Sequence, residues 1–356
     1  VAAAENLVLD VLRCIAARSA RPAGGPLGAS PFGALARQAG VALYEPLNGL
    51  IAEDGDFAAD NRRQCVLELS PRNYRRLARL FGALDMVHHL QSAGRTATQR
   101  ELFYRAGSDA DGPLFREQGH MNAAIRDVVS TLRIGRPQLG VLTTEKGLVA
   151  GAIAFRDPAT LAVSSATHGT SGVAISEAML SRDLGTIEVG SARCVLVVEK
   201  DTFFQQVLHG RLLAMLPLVL VTGRGFPDLL TRRLLQRLHR LEPALPQVYL
   251  GDYDPHGMAI FFLYRASCPW LRWLGLLQGD VRDLPPEAAL PLTPRDEALR
   301  ASLLQRPEVC DHPEFKAEVA AMDRKFELEA LHARYGAPNV GVHFIPEKIL
   351  RCAWIG

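Results

Sequence analysis

The chain has 356 residues, 48% of them apolar, and a mean hydropathy of +0.05, with no apolar run near the roughly 18 residues that span a bilayer, so a membrane bundle is excluded and no membrane role is expected. At roughly 100–200 residues per domain the length implies two globular domains plus extensions, and because the first residue is Val1 any leader peptide lies outside what can be read. Six cysteines, at 14, 65, 194, 268, 310 and 352, never come closer than 42 residues, which removes Cys-x-x-Cys chemistry and points to a reducing compartment, while a net charge of +2 averaged over the chain argues against a polyanionic partner.

Residues 5–17 place Val8, Val11, Leu12 and Ile15 at i, i+3, i+4 and i+7, the stripe of an amphipathic helix, and Arg21-Pro-Ala-Gly-Gly-Pro-Leu-Gly28 follows as a linker. Residues 1–33 are thus a helix and linker whose stripe docks either on its own chain or on a partner. Ser70-Pro71 predicts the start of the next helix, with Leu77, Leu80, Phe81, Leu84 and Val87 inward and Arg72, Arg75, Arg76 and Arg79 crowding its first turns. His88-His89 has no nearby partner of metal-binding type and reads as that helix's wet end. Helical patterns over Thr98–Tyr104 and Phe115–Leu132 come next, then Gly135-Arg136-Pro137 and an apolar stretch, Leu139–Ala154. Three helices and a glycine-punctuated hairpin predict a winged helix-turn-helix, a DNA-binding architecture, over 60–155. Residues 61–146 hold fourteen Arg and Lys against eight Asp and Glu, which leaves the rest of the chain at −4. A DNA-binding face fits that excess, and so does a solvated basic face.

From residue 193 short apolar runs alternate with helices. Cys194–Val198 ends in Glu199, Leu216–Thr222 ends at Gly223, and Val248–Leu250 ends at Gly251-Asp252, with helices over 201–210, 227–241 and 255–266. The pattern predicts a parallel sheet in an α/β domain over 190–356, with ligands at the carboxyl ends of its strands. Asp252 and Asp254, two apart on extended chain, point to one side, where Glu199 can join them from a neighbouring strand. Oxygen-only ligation favours Mg²⁺, with Mn²⁺ as a substitute, although a D-x-D pair is also commonly just solvated. His256 reads as a neutral turn residue.

In Thr98-Gln-Arg100-Glu-Leu-Phe-Tyr104-Arg105, Arg100 and Tyr104 are i, i+4 on one helical face. A guanidinium beside a phenol favours the phenolate and can also bind phosphate, which is what a tyrosine needs to attack a phosphodiester. Taken alone, a Phe-Tyr pair on a helix is more often core packing.

Together these features resemble the Spo11 family, relatives of the A subunit of type VI DNA topoisomerase. The resemblance is carried by Thr96–Tyr104, Gly140–Gly151, Val197-Val-Glu-Lys200, Val221-Thr-Gly-Arg-Gly-Phe-Pro-Asp228, Gly251-Asp-Tyr-Asp-Pro-His-Gly257 and Trp273–Leu277, in the family's order. It implies a two-domain α+β and α/β protein, in which a catabolite-activator-like winged-helix domain precedes a Toprim, Rossmann-like domain with a C-terminal extension. It further implies Tyr104 as nucleophile with Arg100 beside it, since the first of the family's two tyrosines is here Phe103. Glu199, Asp252 and Asp254 match the Toprim triad. Lys146, Arg105, Arg136, Arg224 and Phe226 are expected DNA contacts, and Asp228 contact or scaffold. The implied activity is a Mg²⁺-dependent transesterification that breaks both strands of DNA through 5′-phosphotyrosyl links to initiate meiotic recombination in the nucleus. The chemistry is that of the ATP-hydrolysing topoisomerases, but this chain has no G-x-x-x-x-G-K-[ST] motif. Implied partners are double-stranded DNA, a second copy for cleavage, and a B-type subunit docking on the N-terminal helix. The A subunit of a type VI topoisomerase, a non-catalytic DNA-binding assembly protein, and a Toprim nuclease or primase that dispenses with the tyrosine remain alternatives. The segment Phe315–Leu331 and the tyrosine block favour Spo11.

Overall fold

The computed structural model describes residues 72–107, 114–132, 134–142, 145–156, 171–180 and 186–356, with Ala2, Glu5 and the strands at 40–44, 64–68 and 163–165. The apolar stripe of the 5–17 helix and the linker after it lie outside the described residues. Contacts divide the chain into two units, Val1–Thr144 and Glu145–Gly356.

In the first unit β1 (Gly40–Tyr44) pairs antiparallel with β2 (Gln64–Glu68). Helix α1 (Tyr74–Ser92) buries Leu77, Leu80, Ala83, Leu84, Val87 and Leu90 at three- and four-residue spacing, the apolar face of a helix. It begins after Asn73, later than Ser70-Pro71 predicts, and both of those residues are outside the described set. After β3 (Ala97–Thr98) come α2 (Gln99–Ala106) and α3 (Gln118–Leu132), whose Leu102, Met121, Ile125 and Val128 close the core with α1. Arg76 makes a two-pronged bond to Asp127 on α3, 2.8 Å for each prong, and Arg79 donates to the Leu114 carbonyl at 3.1 Å. Two of the three arginines on α1 therefore hold the unit together.

The expected hairpin over 139–154 does not form. Its first strand, β4 (Val141–Leu142), pairs in parallel with β3, and the next, β5 (Leu148–Gly151), belongs to the second unit, so the boundary expected near 155 falls at 144/145. Every residue of β5 is buried, as in an interior strand, whereas a wing needs one wet face.

The second unit adds β6 (Ile153–Arg156), β7 (Val163–Ser165), β8 (Val173–Ala174), β9 (Thr186–Val189), β10 (Val195–Val198), α4 (Asp201–His209), β11 (Val219–Thr222), α5 (Leu229–Leu241), β12 (Gln247–Leu250), α6 (Pro255–Arg265) and β13 (Arg272–Gly275). Six of its strands form one sheet in the order β13-β12-β10-β11-β5-β8. The four from β10 to β13 are parallel, as expected, and β5 and β8 extend the β11 edge antiparallel. Strands β7, β6 and β9 make a second sheet. The chain passes between sheets at Gly151, whose φ is +90° and where a Cβ would sit 2.2 Å from the Leu218 carbonyl oxygen, so only glycine fits. Strand β10 runs through α4 to β11 on one side, and β12 runs through α6 to β13 on the other. The crevice between the carboxyl ends of β10 and β12 is thus the sheet's switch point, where ligands bind in such folds.

The chain beyond the sheet packs back onto it. Helices α7 (Pro294–Leu303) and α8 (Pro313–Ala321) follow, and Phe315 packs on Phe261 and Phe262 with ring centroids 5.4 and 5.3 Å apart. Strand β14 (Leu290–Pro291) pairs antiparallel with β15 (Arg324–Lys325). Among the described residues no helix is long and apolar enough to cross a membrane.

Candidate functional site

Glu199 follows β10 directly, and its backbone is fixed from both sides: its N–H donates to the Leu250 carbonyl at 3.0 Å and its carbonyl accepts from Gly225 N–H at 2.8 Å. The carboxylate is 7% exposed, and its Oε2 accepts from Asp252 N–H at 3.1 Å and from the Tyr249 hydroxyl at 3.3 Å. Burial, then the charges of Asp252 and Asp254, push its pKa up from 4.5 to about 8. Gly251 admits this approach, since a Cβ there would lie 2.5 Å from Glu199 Oε2.

Asp252, also buried, is held at both oxygens. Oδ1 accepts from Leu328 N–H at 2.8 Å, and Oδ2 faces the Lys200 ammonium at 3.0 Å. Burial raises its pKa to about 6 against the opposing pull of Lys200. Burial likewise disfavours the charge of Lys200, but Asp252, Glu327 and Glu329 outweigh it and push the ammonium's pKa up. Asp254 caps α6, its Oδ1 accepting from Gly257 N–H at 2.6 Å, and still lies close enough to raise the pKa values of both other acids.

The three acids expected to converge are therefore neighbours at the switch point without forming a ready coordination set. Among the described residues no group of three or more His, Cys, Asp or Glu side chains is arranged to hold a metal ion. Asp254 is engaged as the N-cap of α6, and Lys200 neutralises Asp252. The donor chemistry nonetheless fits a hard divalent cation, for two buried carboxylates with raised pKa values and a third nearby, all oxygen donors, are what a cation would relieve. His256 stands apart, its Nε2 3.4 Å from Asp296 Oδ1.

At the same end of the sheet Asp228 joins two segments. Its Oδ1 caps α5 through Thr231 N–H at 2.7 Å, and its Oδ2 accepts from Lys146 N–H at 2.8 Å and Gly147 N–H at 3.3 Å. Lys146 Nζ donates to the Phe226 carbonyl at 3.1 Å, and the Phe226 ring is half exposed. Arg224, at φ +52°, has its Nε 3.4 Å from Asp201 Oδ1. Lys146, Arg224 and Phe226 thus share one edge with Asp228 as scaffold.

In the first unit Thr98 caps α2, its Oγ1 accepting from Glu101 N–H at 3.1 Å, and Leu102 and Ala106 face the core. Tyr104 takes the opposite side and is 63% exposed, which excludes the core-packing reading. Arg100 Nε and Nη2 each lie 3.3 Å from its hydroxyl oxygen. Arg105 pairs with Glu101 one turn back, and Arg136 reaches Gln99 Oε1 at 3.5 Å. His88 and His89 do have carboxylate partners, Glu5 at 3.2 Å and Asp85 at 3.4 Å.

Sequence reasoning missed Lys200, Tyr249, Glu327, Leu328 and Glu329 around the acids. Lys200 adjoins Glu199 and could have been flagged, whereas no spacing signal links Asp252 to a backbone N–H 76 residues later.

A profile described as the Toprim domain of Spo11 and of the topoisomerase 6 A-type chain matches residues 194–349, and one described as type IIB DNA topoisomerase matches 75–141. The chain is 32% identical over 296 residues to meiotic recombination protein SPO11-2 of Oryza sativa subsp. indica, covering 78% of this chain and 74% of that one. It is 32% identical over 305 residues to meiotic recombination protein SPO11 of Homo sapiens, covering 80% and 74%. With the A3 subunit of DNA topoisomerase 6 from Oryza sativa subsp. indica it shares 30% over 289 residues, covering 76% and 63%.

Proposed function

The chain belongs to the family of Spo11 and the type VI topoisomerase A subunits, and on that premise we propose that it cleaves DNA by transesterification to start meiotic recombination. The observation that carries this reading is the exposed Tyr104 hydroxyl with Arg100 against it. Tyr104 attacks a backbone phosphorus; the new bond is phenol oxygen to phosphorus, the bond to the 3′ oxygen breaks, and the phenolic proton ends on the released 3′ hydroxyl. Arg100 holds the phenol in place and has donors to offer a phosphate oxygen. The first unit, with its basic excess, is read as a helix-turn-helix that seats the duplex, with Arg105 and Arg136 near the backbone. Lys146, Arg224 and Phe226 would meet DNA from the second unit.

Glu199, Asp252 and Asp254 would hold a divalent ion, Mg²⁺ or Mn²⁺, which supplies positive charge to phosphate oxygens. Two copies pair, each tyrosine serving the acidic cluster of the other, and a B-type subunit docks on the N-terminal helix. The site of action is the nucleus. The larger coverage of the meiotic relatives, 74% against 63%, favours this role over that of a type VI topoisomerase component.

The test is a denaturing gel of labelled duplex DNA incubated with the chain, its partners and Mg²⁺ or Mn²⁺. A covalent adduct lost in both Tyr104→Phe and Glu199→Gln supports the reading. No Tyr104-dependent adduct would favour a binding protein, and cleavage surviving Tyr104→Phe would point to a nuclease. Co-assembling the two variants should restore cleavage of one strand, because one composite site is then intact.

A further inference from the structure

Lys200 is a cation at the acidic cluster that a metal-binding role does not account for. Its ammonium serves three carboxylates at once, lying 3.0 Å from Asp252 Oδ2 and 3.1 Å from an oxygen of each of Glu327 and Glu329. Only Asp252 belongs to the cluster. The two glutamates flank Leu328, whose N–H holds the other oxygen of Asp252. Their segment is fastened independently of Lys200: Tyr253 and Phe326 exchange two backbone hydrogen bonds of 2.8 and 3.1 Å, β15 pairs with β14, and Lys325 Nζ lies 2.9 Å from Asp296 Oδ2.

A cation entering among Glu199, Asp252 and Asp254 needs an oxygen of Asp252, and the oxygen not tied to the backbone is the one Lys200 holds. Two cations cannot share it without strong repulsion in a buried setting. Glu327 and Glu329 already touch the ammonium and can keep it when Asp252 lets go, so Lys200 need not be driven into water. We propose that Lys200 is an exchangeable counter-ion: it neutralises Asp252 while the cluster holds no metal, and metal binding hands it over to Glu327 and Glu329. Lys200 is on this account a positioning residue. The proposal rests on the reading of the three acids as the metal-holding set.

The experiment is a Mn²⁺ titration of the full chain, with free Mn²⁺ read by electron paramagnetic resonance and folding of every variant checked by thermal melting. Wild type binds saturably and Asp252→Asn does not. Lys200→Gln, freed of the competing charge, binds roughly tenfold tighter, in the usual range for one ligand coupled to another. Glu327→Gln with Glu329→Gln weakens binding when Lys200 is present and has little effect in the Lys200→Gln background. Plain electrostatics would instead give the same fold-change in both backgrounds. If wild type binds no Mn²⁺, or Asp252→Asn binds as wild type does, the metal reading itself falls and takes the exchange with it. If wild type binds through Asp252 but Lys200→Gln binds no tighter, or the glutamate pair acts equally in both backgrounds, the exchange alone is overturned. Should Lys200→Gln fail to fold, unchanged Mn²⁺ affinity in the glutamate double variant overturns it.

Discussion

Removing the charge of Glu199 separates the electrostatic account of the acidic cluster from any other. With its pKa raised from 4.5 to about 8, the folded chain holds this proton more tightly than the unfolded chain does. The contribution is thus fully present below pH 4.5 and is lost as pH rises through about 8, so the metal-free protein should weaken from pH 5 to pH 9. At about 1.4 kcal/mol per pKa unit the full effect is roughly 5 kcal/mol, of which about 4 kcal/mol falls between pH 5 and pH 9, and partial relaxation brings the expected loss to roughly 2–4 kcal/mol. At about 3 °C per kcal/mol for a unit of this size, that is a fall of roughly 6–12 °C in Tm. The assay is a thermal melt in EDTA across this range, for wild type and for Glu199→Gln, which keeps an acceptor for Asp252 N–H and Tyr249 but cannot ionise. The wild-type curve should fall relative to the variant, and saturating Mg²⁺ at pH 9 should recover most of the gap for wild type only. A difference that is flat, or that favours wild type at high pH without metal, refutes the reasoning.

Tyr104→Phe should change stability by no more than about 0.5 kcal/mol in a denaturant melt, because the ring is mostly exposed, while removing the covalent adduct on a denaturing gel. Gly251→Ala places a Cβ 2.5 Å from Glu199 Oε2 and 2.6 Å from the Tyr249 ring; it should cost about 1–3 kcal/mol and weaken Mn²⁺ binding, both read on the same sample. Asp228→Ala uncaps α5 and frees the Lys146-Gly147 backbone, so a loss of about 1–2 kcal/mol is expected by chemical denaturation, with Mn²⁺ affinity kept.

The parallel sheet was legible because its strands carry unbroken apolar runs, such as Val195–Val198, that end in a charged or glycine residue, and the structure buries all four residues of that strand. The helices of the first unit were legible for the matching reason, an apolar stripe at helical period, as in Leu77, Leu80 and Leu84. Leu148–Gly151 misled because an apolar run does not say which unit it enters: it joins β11, about seventy residues later in the chain, rather than the strand beside it. At the site, adjacency on short strand ends placed Glu199 and Asp252 together, but the hydrogen bonds that fix Asp252 come from Leu328 and from Lys200, whose partners are set by tertiary packing. The exposure of Tyr104 was undecidable from a Phe-Tyr pair, since either ring could have taken the inward side of α2; Leu102 and Ala106 settle it by filling the core.

The clasp on Asp252 also has a bearing on how the chain is made. Every strand of the parallel run and all three acids have been synthesised once Gly275 is added, and Tyr104 long before them. Leu328, Glu327 and Glu329 come some fifty residues afterwards, so a nascent chain that has already folded its sheet still lacks the groups that seat Asp252 and share Lys200. The groups that complete the acidic centre are thus made after the tyrosine and all three acids, and a chain cut off before Glu327 would carry both without them.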